Sequence, residues 1–140
     1  MEISATTKGL MGEFYAAGAI TSFGTHKVSL CQQDSVDLVA FNADQFLRVQ
    51  VKTATLHKRP HHNPSYQFQL GSGGKKKRIP AIADYDIIAL VAGFHRRVLF
   101  LPVQSVSQQL TKRLPPSRFT AEAEIESWMA AVDYISGMRR

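Results

Sequence analysis

The residues of this chain best suited to chemistry are an aspartate, an amide and an amine. They are Asp37 and, in the run RVQVKT (48–53), Gln50 and Lys52. The run alternates as a strand does, with Val49, Val51 and Thr53 on one face and Arg48, Gln50 and Lys52 on the other. A lone lysine on a strand is usually a solvated edge residue, so the reading depends on what lies opposite. The polar link Asn42-Ala43-Asp44-Gln45 has hairpin length. Symmetric closure pairs Phe41 with Phe46, Val39 with Arg48 and Asp37 with Gln50, and opposed residues share a face at about 4.5–5.5 Å between Cβ atoms; a one-residue bulge would shift this register. A buried aspartate needs a partner, a donor or a metal. Lys52 supplies a simple ion pair, which requires no amide oxygen beside it. A carboxylate, an amide oxygen and a main-chain carbonyl are together hard ligands suited to a divalent cation such as Mg²⁺. A protonated Lys52 is not a ligand, but it can orient or deprotonate a water or stabilise charge on a phosphorane-like transition state.

The elements that must carry these residues follow from pattern. Residues 5–18 read as a helix with Ser4 as N-cap and Gly18 as its stop, and Leu10, Phe14 and Ala17 form a narrow apolar stripe. Glu13 falls on the rim of that stripe, about 60° from Leu10. Strands are expected over 25–31, 35–41, 46–54, 66–70, 86–92 and 97–103, with Gly93-Phe94-His95-Arg96 turning between the last two. GSGGKKKR (71–78) reads as a basic loop after a glycine-rich hinge. A helix is expected over about 121–136, capped by Thr120, with Glu122 and Glu124 in its first turn. Its apolar face is Ile125, Trp128, Met129, Val132 and Ile135, expected to cover a sheet. The order predicts one mixed α/β (α+β) sheet with helices packed on it. Tyr66 and Tyr85 are expected in the core, and Asp84 and Asp86 read as structural.

The chain has 140 residues, 44% of them hydrophobic and 20% charged, which suits one soluble domain with one core. Its longest apolar stretch, IIALVAGF (87–94), is too short to cross a bilayer. No signal-peptide pattern opens it, and Cys31 is its only cysteine, so a reducing, intracellular setting is expected. The net charge is +6, and it is unevenly spread. Residues 48–78 hold eight Lys and Arg and no acid, whereas residues 1–47 hold two basic against five acidic residues. A concentrated basic segment is the footprint of a polyanion binder, against the blander reading of a solvated surface. The run from His57 to His62 allows a metal-binding histidine reading, but adjacent His61 and His62 face apart in an extended chain and no second cluster supports zinc. Phosphate contact through Lys58, Arg59, His61 and His62, and through Lys75, Lys76, Lys77 and Arg78, is the reading preferred here.

Asp37, twelve intervening residues, then Gln50-Val51-Lys52 resembles the PD-(D/E)XK nuclease signature, with Gln50 in the (D/E) place. The context is similar over about residues 8–103: KGLMGEFYAAGAI (8–20), with Gly12-Glu13, resembles the family's first helix, and VDLVAF and VQVKTA resemble its second and third strands. The small endonucleases encoded in group I introns, with a typical run V-Q-V-K-T, are the subgroup it most resembles. Archaeal Holliday junction resolvases have a similar order of elements. The resemblance implies a restriction-endonuclease-like core (about 5–103) in a single domain spanning 1–140, with a C-terminal helical extension over 117–140. It implies an Mg²⁺-dependent endonuclease, with Mn²⁺ able to substitute, that hydrolyses phosphodiesters in double-stranded DNA. Asp37, Gln50, the main-chain carbonyl of Val51 and Glu13 would hold the metal, and Lys52 would handle the attacking water. Two strands need two active sites, so a homo-oligomer is expected, a dimer or a dimer of dimers. It would be cytoplasmic, and nucleoid-associated when bound to DNA. A structure-selective nuclease and a DNA-binding descendant without catalysis are the alternatives. Two departures from the family pattern are Val36 in place of proline and Gln50 in place of an acid; the second removes a charge from the metal.

Overall fold

A computed structural model describes residues 2–71 and 77–139. Helix α1 (Ala5–Ser22) leads into strands β1 (Lys27–Gln33), β2 (Val36–Phe41) and β3 (Phe46–Ala54). Strands β4 (Leu56–His57), β5 (Ser65–Gln69), β6 (Ile87–Ala92), β7 (Arg97–Pro102) and β8 (Thr111–Leu114) follow, and helix α2 (Ala121–Met138) comes last. The architecture is mixed α/β, with a five-stranded sheet ordered β1-β2-β3-β6-β7 and a three-stranded sheet ordered β4-β5-β8. The expected single sheet is thus two. Thr111–Leu114 reads as a polar segment and was not expected as a strand; it pairs antiparallel with β5, from Tyr66 opposite Leu114 to Gln69 opposite Thr111.

An interior strand of the large sheet, β6, explains why two layers are needed. Every residue of β6 is buried, as expected of a strand covered on both faces. Ile87, Ala89 and Val91 face the layer that holds Ala16, Ile20, Trp128, Ala131 and Ile135. Ile88, Leu90 and Ala92 face Tyr66, Phe68, Leu70, Tyr85, Leu114 and Phe119. The small sheet therefore closes the back of the large one. Tyr66 and Tyr85 lie in this core, both fully buried.

Helix α1 buries a face other than the expected one, while α2 buries Trp128 and Ile135 of its expected face, with Val132 packed beside them. Helix α1 buries Gly12, Ala16 and Ile20, while Leu10 and Phe14 are 40% and 55% exposed. The small residues at i and i+4, Gly12 and Ala16, let the helix backbone approach the sheet, which the larger stripe would have held away. Gly18 lies inside the helix, four residues short of its end; the chain turns out at Gly24, whose φ is +78°. Helix α2 buries Trp128, Ala131, Ile135 and the carboxylate of Glu124, with Ile125 and Met129 exposed. Glu124 faces inward because it accepts the Val98 N–H at 2.9 Å. The Thr120 hydroxyl caps α2 by accepting the Ala123 N–H at 3.0 Å, and Ser4 caps α1 through Thr7. No helix among the described residues is long and apolar enough to cross a membrane.

Candidate active site

The β2–β3 hairpin closes symmetrically, as its link predicts. Asn42 Oδ1 accepts the N–H groups of Asp44 and Gln45 at 2.9 Å each, tying the turn. Phe41 lies opposite Phe46, Val39 opposite Arg48 and Leu38 opposite Val49. The paired stretch ends there. Asp37 lies just past it, and instead of pairing flatly with Gln50 its carboxylate accepts the Val51 N–H at 2.8 Å. On the other edge β3 runs parallel to β6, with Val51 opposite Ala89 and Lys52 opposite Leu90. In a strand the N–H and C=O of one residue point to the same edge. The Val51 carbonyl therefore faces the gap that Asp37 occupies.

Glu13 reaches the same gap from α1. Its carboxyl comes close enough to that of Asp37 for each to shift the other's proton affinity. Burial, and then the Asp37 charge and hydrogen bond, hold Glu13 above the ordinary carboxylate range. Burial also raises Asp37, outweighing the Val51 N–H, the Glu13 hydrogen bond and the Lys52 charge, which pull it down. The Lys52 ammonium is pushed the other way. Burial lowers its pKa, Asp37 raises it and the Lys77 charge lowers it again. Two acids that resist ionisation and an amine that releases its proton easily make a site short of positive charge at its acids.

Gln50 is buried, at 8% exposure, and its Oε1 has no hydrogen-bond partner among the described residues. An unsatisfied buried amide oxygen costs about 1–3 kcal/mol, so its presence in the same strand as Lys52 is informative. With Arg48 and Lys52 it lines an open cleft of about 790 Å³, which Lys77 and Arg78 also line. Asp37 and Glu13 do not line this cleft; the orphan oxygen on its wall, the two carboxyls and the Val51 carbonyl are all oxygen donors, of the kind that suits a hard divalent cation. The set holds only two acids: among the described residues no group of three or more His, Cys, Asp or Glu side chains converges.

The expected DNA-contact residues divide. Lys77 and Arg78 stand on the cleft, Arg78 in a bidentate pair with Asp84 at 2.9 Å for each bond. Lys75 and Lys76 lie outside the described residues. His57 belongs to β4, and Lys58, Arg59, His61 and His62 are exposed beyond it, none of them lining the cleft. Arg59 Nε donates to His57 Nε2 at 3.0 Å.

Arg48 was not among the expected site residues. Its guanidinium lines the cleft and is held by Asp86, whose Oδ2 accepts the Arg48 N–H at 2.8 Å and whose Oδ1 takes Arg48 Nη2 at 3.2 Å and Arg139 Nη2 at 2.7 Å. The alternation of RVQVKT does signal Arg48, since it shares a face with Gln50 and Lys52. Its anchor, 38 residues away, is a tertiary matter.

No protein-family profile matches the chain, and no curated protein matches it by sequence. Among solved structures, the bacterial homing endonuclease I-Ssp6803I superposes with a TM-score of 0.75 at 17% sequence identity, covering 99% of each chain. The fold of this chain, end to end, is therefore similar to the fold of that protein.

Proposed function

We propose that this protein is a divalent-metal-dependent DNA endonuclease of the homing type, working on double-stranded DNA as a homo-oligomer. The observation that carries the reading is the buried, unpartnered Gln50 Oε1 on the wall of a basic cleft, in the same strand as Lys52 and as Val51, whose N–H holds Asp37. A purely structural Asp37–Lys52 pair would leave that oxygen, and the approach of a second acid, Glu13, to Asp37, unexplained. The similarity of fold to a homing endonuclease supports the same reading. The signature formed by Asp37, Gln50 and Lys52 supports a PD-(D/E)XK site.

In this mechanism Asp37, Glu13, Gln50 Oε1 and the Val51 carbonyl would hold Mg²⁺, for which Mn²⁺ would substitute. When bound, the ion supplies charge to the phosphate and acidifies water. The chain's own residues do the rest. The Val51 N–H fixes the Asp37 carboxylate at the point where β2 parts from β3. Lys52, with its pKa lowered by burial, is poised to take a proton from the attacking water or to place its charge on the phosphate oxygens. Lys77, lining the cleft, draws the DNA backbone in. Water adds to phosphorus in line with the 3′ oxygen, whose bond breaks to leave a 5′ phosphate and a 3′ hydroxyl.

One observation favours a second reading, a DNA-binding protein without catalysis: among the described residues the site holds two acids and no third. The test is cleavage of plasmid DNA with Mg²⁺, with Mn²⁺ and with chelator, by wild type, Asp37→Ala and Lys52→Ala, with binding measured alongside. Metal-dependent cutting by the wild type, with both variants binding but not cutting, is expected. Equal binding by all three with no cutting of any DNA form establishes the second reading. A four-way junction cut in preference to linear duplex would replace sequence recognition with recognition of DNA shape.

A further inference from the structure

The contact between α1 and β3 is unusually close at one point. A Cβ placed on Gly12 would lie 1.8 Å from Thr53 Oγ1 and 3.1 Å from Thr53 Cβ, where an ordinary contact starts at 3.4 Å. Gly12 is buried, and it directly precedes Glu13. Thr53 directly follows Lys52. The two residues that touch are thus the sequence neighbours of two residues that flank Asp37. Thr53 Oγ1 is itself buried with no hydrogen-bond partner among the described residues, so hydrogen bonding does not account for its place against the glycine. An apolar cleft of about 160 Å³ bounded by Met11, Gly12, Thr53 and Gly93 opens beside the contact. The helix is therefore not backed on that side, and at this turn it meets β3 through the Gly12–Thr53 contact.

We infer that Gly12 is a positioning residue of the active site: lacking a side chain, it lets α1 seat on Thr53 and so delivers Glu13 to Asp37. The inference rests on the nuclease reading above. Any larger residue at 12 moves this turn of α1 outward by more than an ångström, unless Thr53 gives way, and Thr53 is β-branched and stiff at χ1. A displacement of about 1 Å at a catalytic group lowers rates about a hundredfold. Glycine in a helix interior is otherwise unfavourable, so an alanine there would stabilise the helix if packing did not forbid it.

The test is a double-mutant cycle with the full chain: wild type, Gly12→Ala, Thr53→Ala and the double variant. Each is assayed for single-turnover cleavage of its DNA substrate with Mg²⁺, for DNA affinity and for thermal midpoint. Gly12→Ala is expected to bind DNA as the wild type does and to cleave about a hundredfold more slowly. Removing the Thr53 hydroxyl and methyl makes room, so the double variant is expected to return to within about threefold of Thr53→Ala alone. A Gly12→Ala enzyme that cleaves like the wild type overturns the inference. So does a double variant as slow, or as poorly folded, as Gly12→Ala, because the fault then does not lie at Thr53. A parallel loss of affinity and cleavage in Gly12→Ala marks a general packing role and also overturns it. A wild type that cleaves no DNA is a different result, the failure of the nuclease reading itself.

Discussion

Asp37 and Asp86 are both buried or half-buried aspartates beside β3, and they are treated in opposite ways. Asp86 is 5% exposed and fully occupied, accepting from the Arg48 backbone and from two guanidiniums, those of Arg48 and Arg139. Asp37 has one backbone N–H and otherwise faces a second carboxyl, and burial raises it above the ordinary range. A carboxylate whose lone pairs are all satisfied is a fastener. One left partly unsatisfied keeps lone pairs for another partner. Under the proposed function, burial alone does not mark a functional acid; the balance of donors around it does.

The largest expected effects come from exchanging each acid for its amide. Asp37→Asn should remove cleavage, by about a thousandfold or more, and leave the thermal midpoint unchanged or raised. Asp86→Asn should do the reverse. It leaves two arginines without their counter-charge and is expected to cost about 2 kcal/mol, below the 3–5 kcal/mol typical of fully buried pairs, because Arg48 and Arg139 side chains are 35% and 49% exposed. Thermal unfolding and cleavage measured on both variants would break the comparison if the two profiles coincided.

Lys52→Ala is expected next, with cleavage lower by about 10²–10⁴-fold and DNA binding retained. The pH dependence sharpens this. Burial lowers the Lys52 pKa from 10.5, so its neutral form gains population as pH rises and does so earlier than in an ordinary lysine. If Lys52 takes the proton of water, wild-type cleavage rises with pH through that lowered value, and a rate independent of pH across this range removes it as the base.

Glu13→Gln should have a smaller and opposite signature on stability. In the folded chain Glu13 holds its proton above the ordinary 4.5, so the folded state binds more protons than the unfolded one. Its contribution is present below pH 4.5 and is lost as pH rises through the raised value. The glutamine variant lacks that loss. Its midpoint relative to wild type should be higher by up to about 2 °C at pH 7, with no advantage near pH 4, while cleavage falls. A wild-type advantage that grows with pH would show that Glu13 is not the strained acid described here.

The smallest effects concern DNA affinity. Lys77→Ala should lower the slope of log affinity against log salt by about one. Arg78→Ala should lower it by less than one, because Arg78 already pairs with Asp84 through two bonds of 2.9 Å. A fall of a full unit for Arg78→Ala would mean that the Arg78–Asp84 pair opens on DNA.

Much of this was legible in the residues. The alternation of FLRVQVKTA and the Asn42–Gln45 link determine the β2–β3 hairpin and its register, because strand period and turn chemistry are local. The unbroken apolar run at 87–92 determines a strand covered on both faces. The Asp37, Gln50 and Lys52 constellation follows from the same register. What the residues could not decide was where each element meets another. Helical spacing favoured Leu10 and Phe14 as the inner stripe of α1, and the molecule buries Gly12, Ala16 and Ile20 instead. Hydrophobicity ranks residues by transfer energy, whereas close packing against a sheet selects for smallness, and only the facing surface states which applies. The end of pairing at Asp37, the anchoring of Arg48 by Asp86, and the Gly12–Thr53 contact that sets Glu13 in place all join residues far apart in the chain. Their geometry exists only once the sheet and helix have docked.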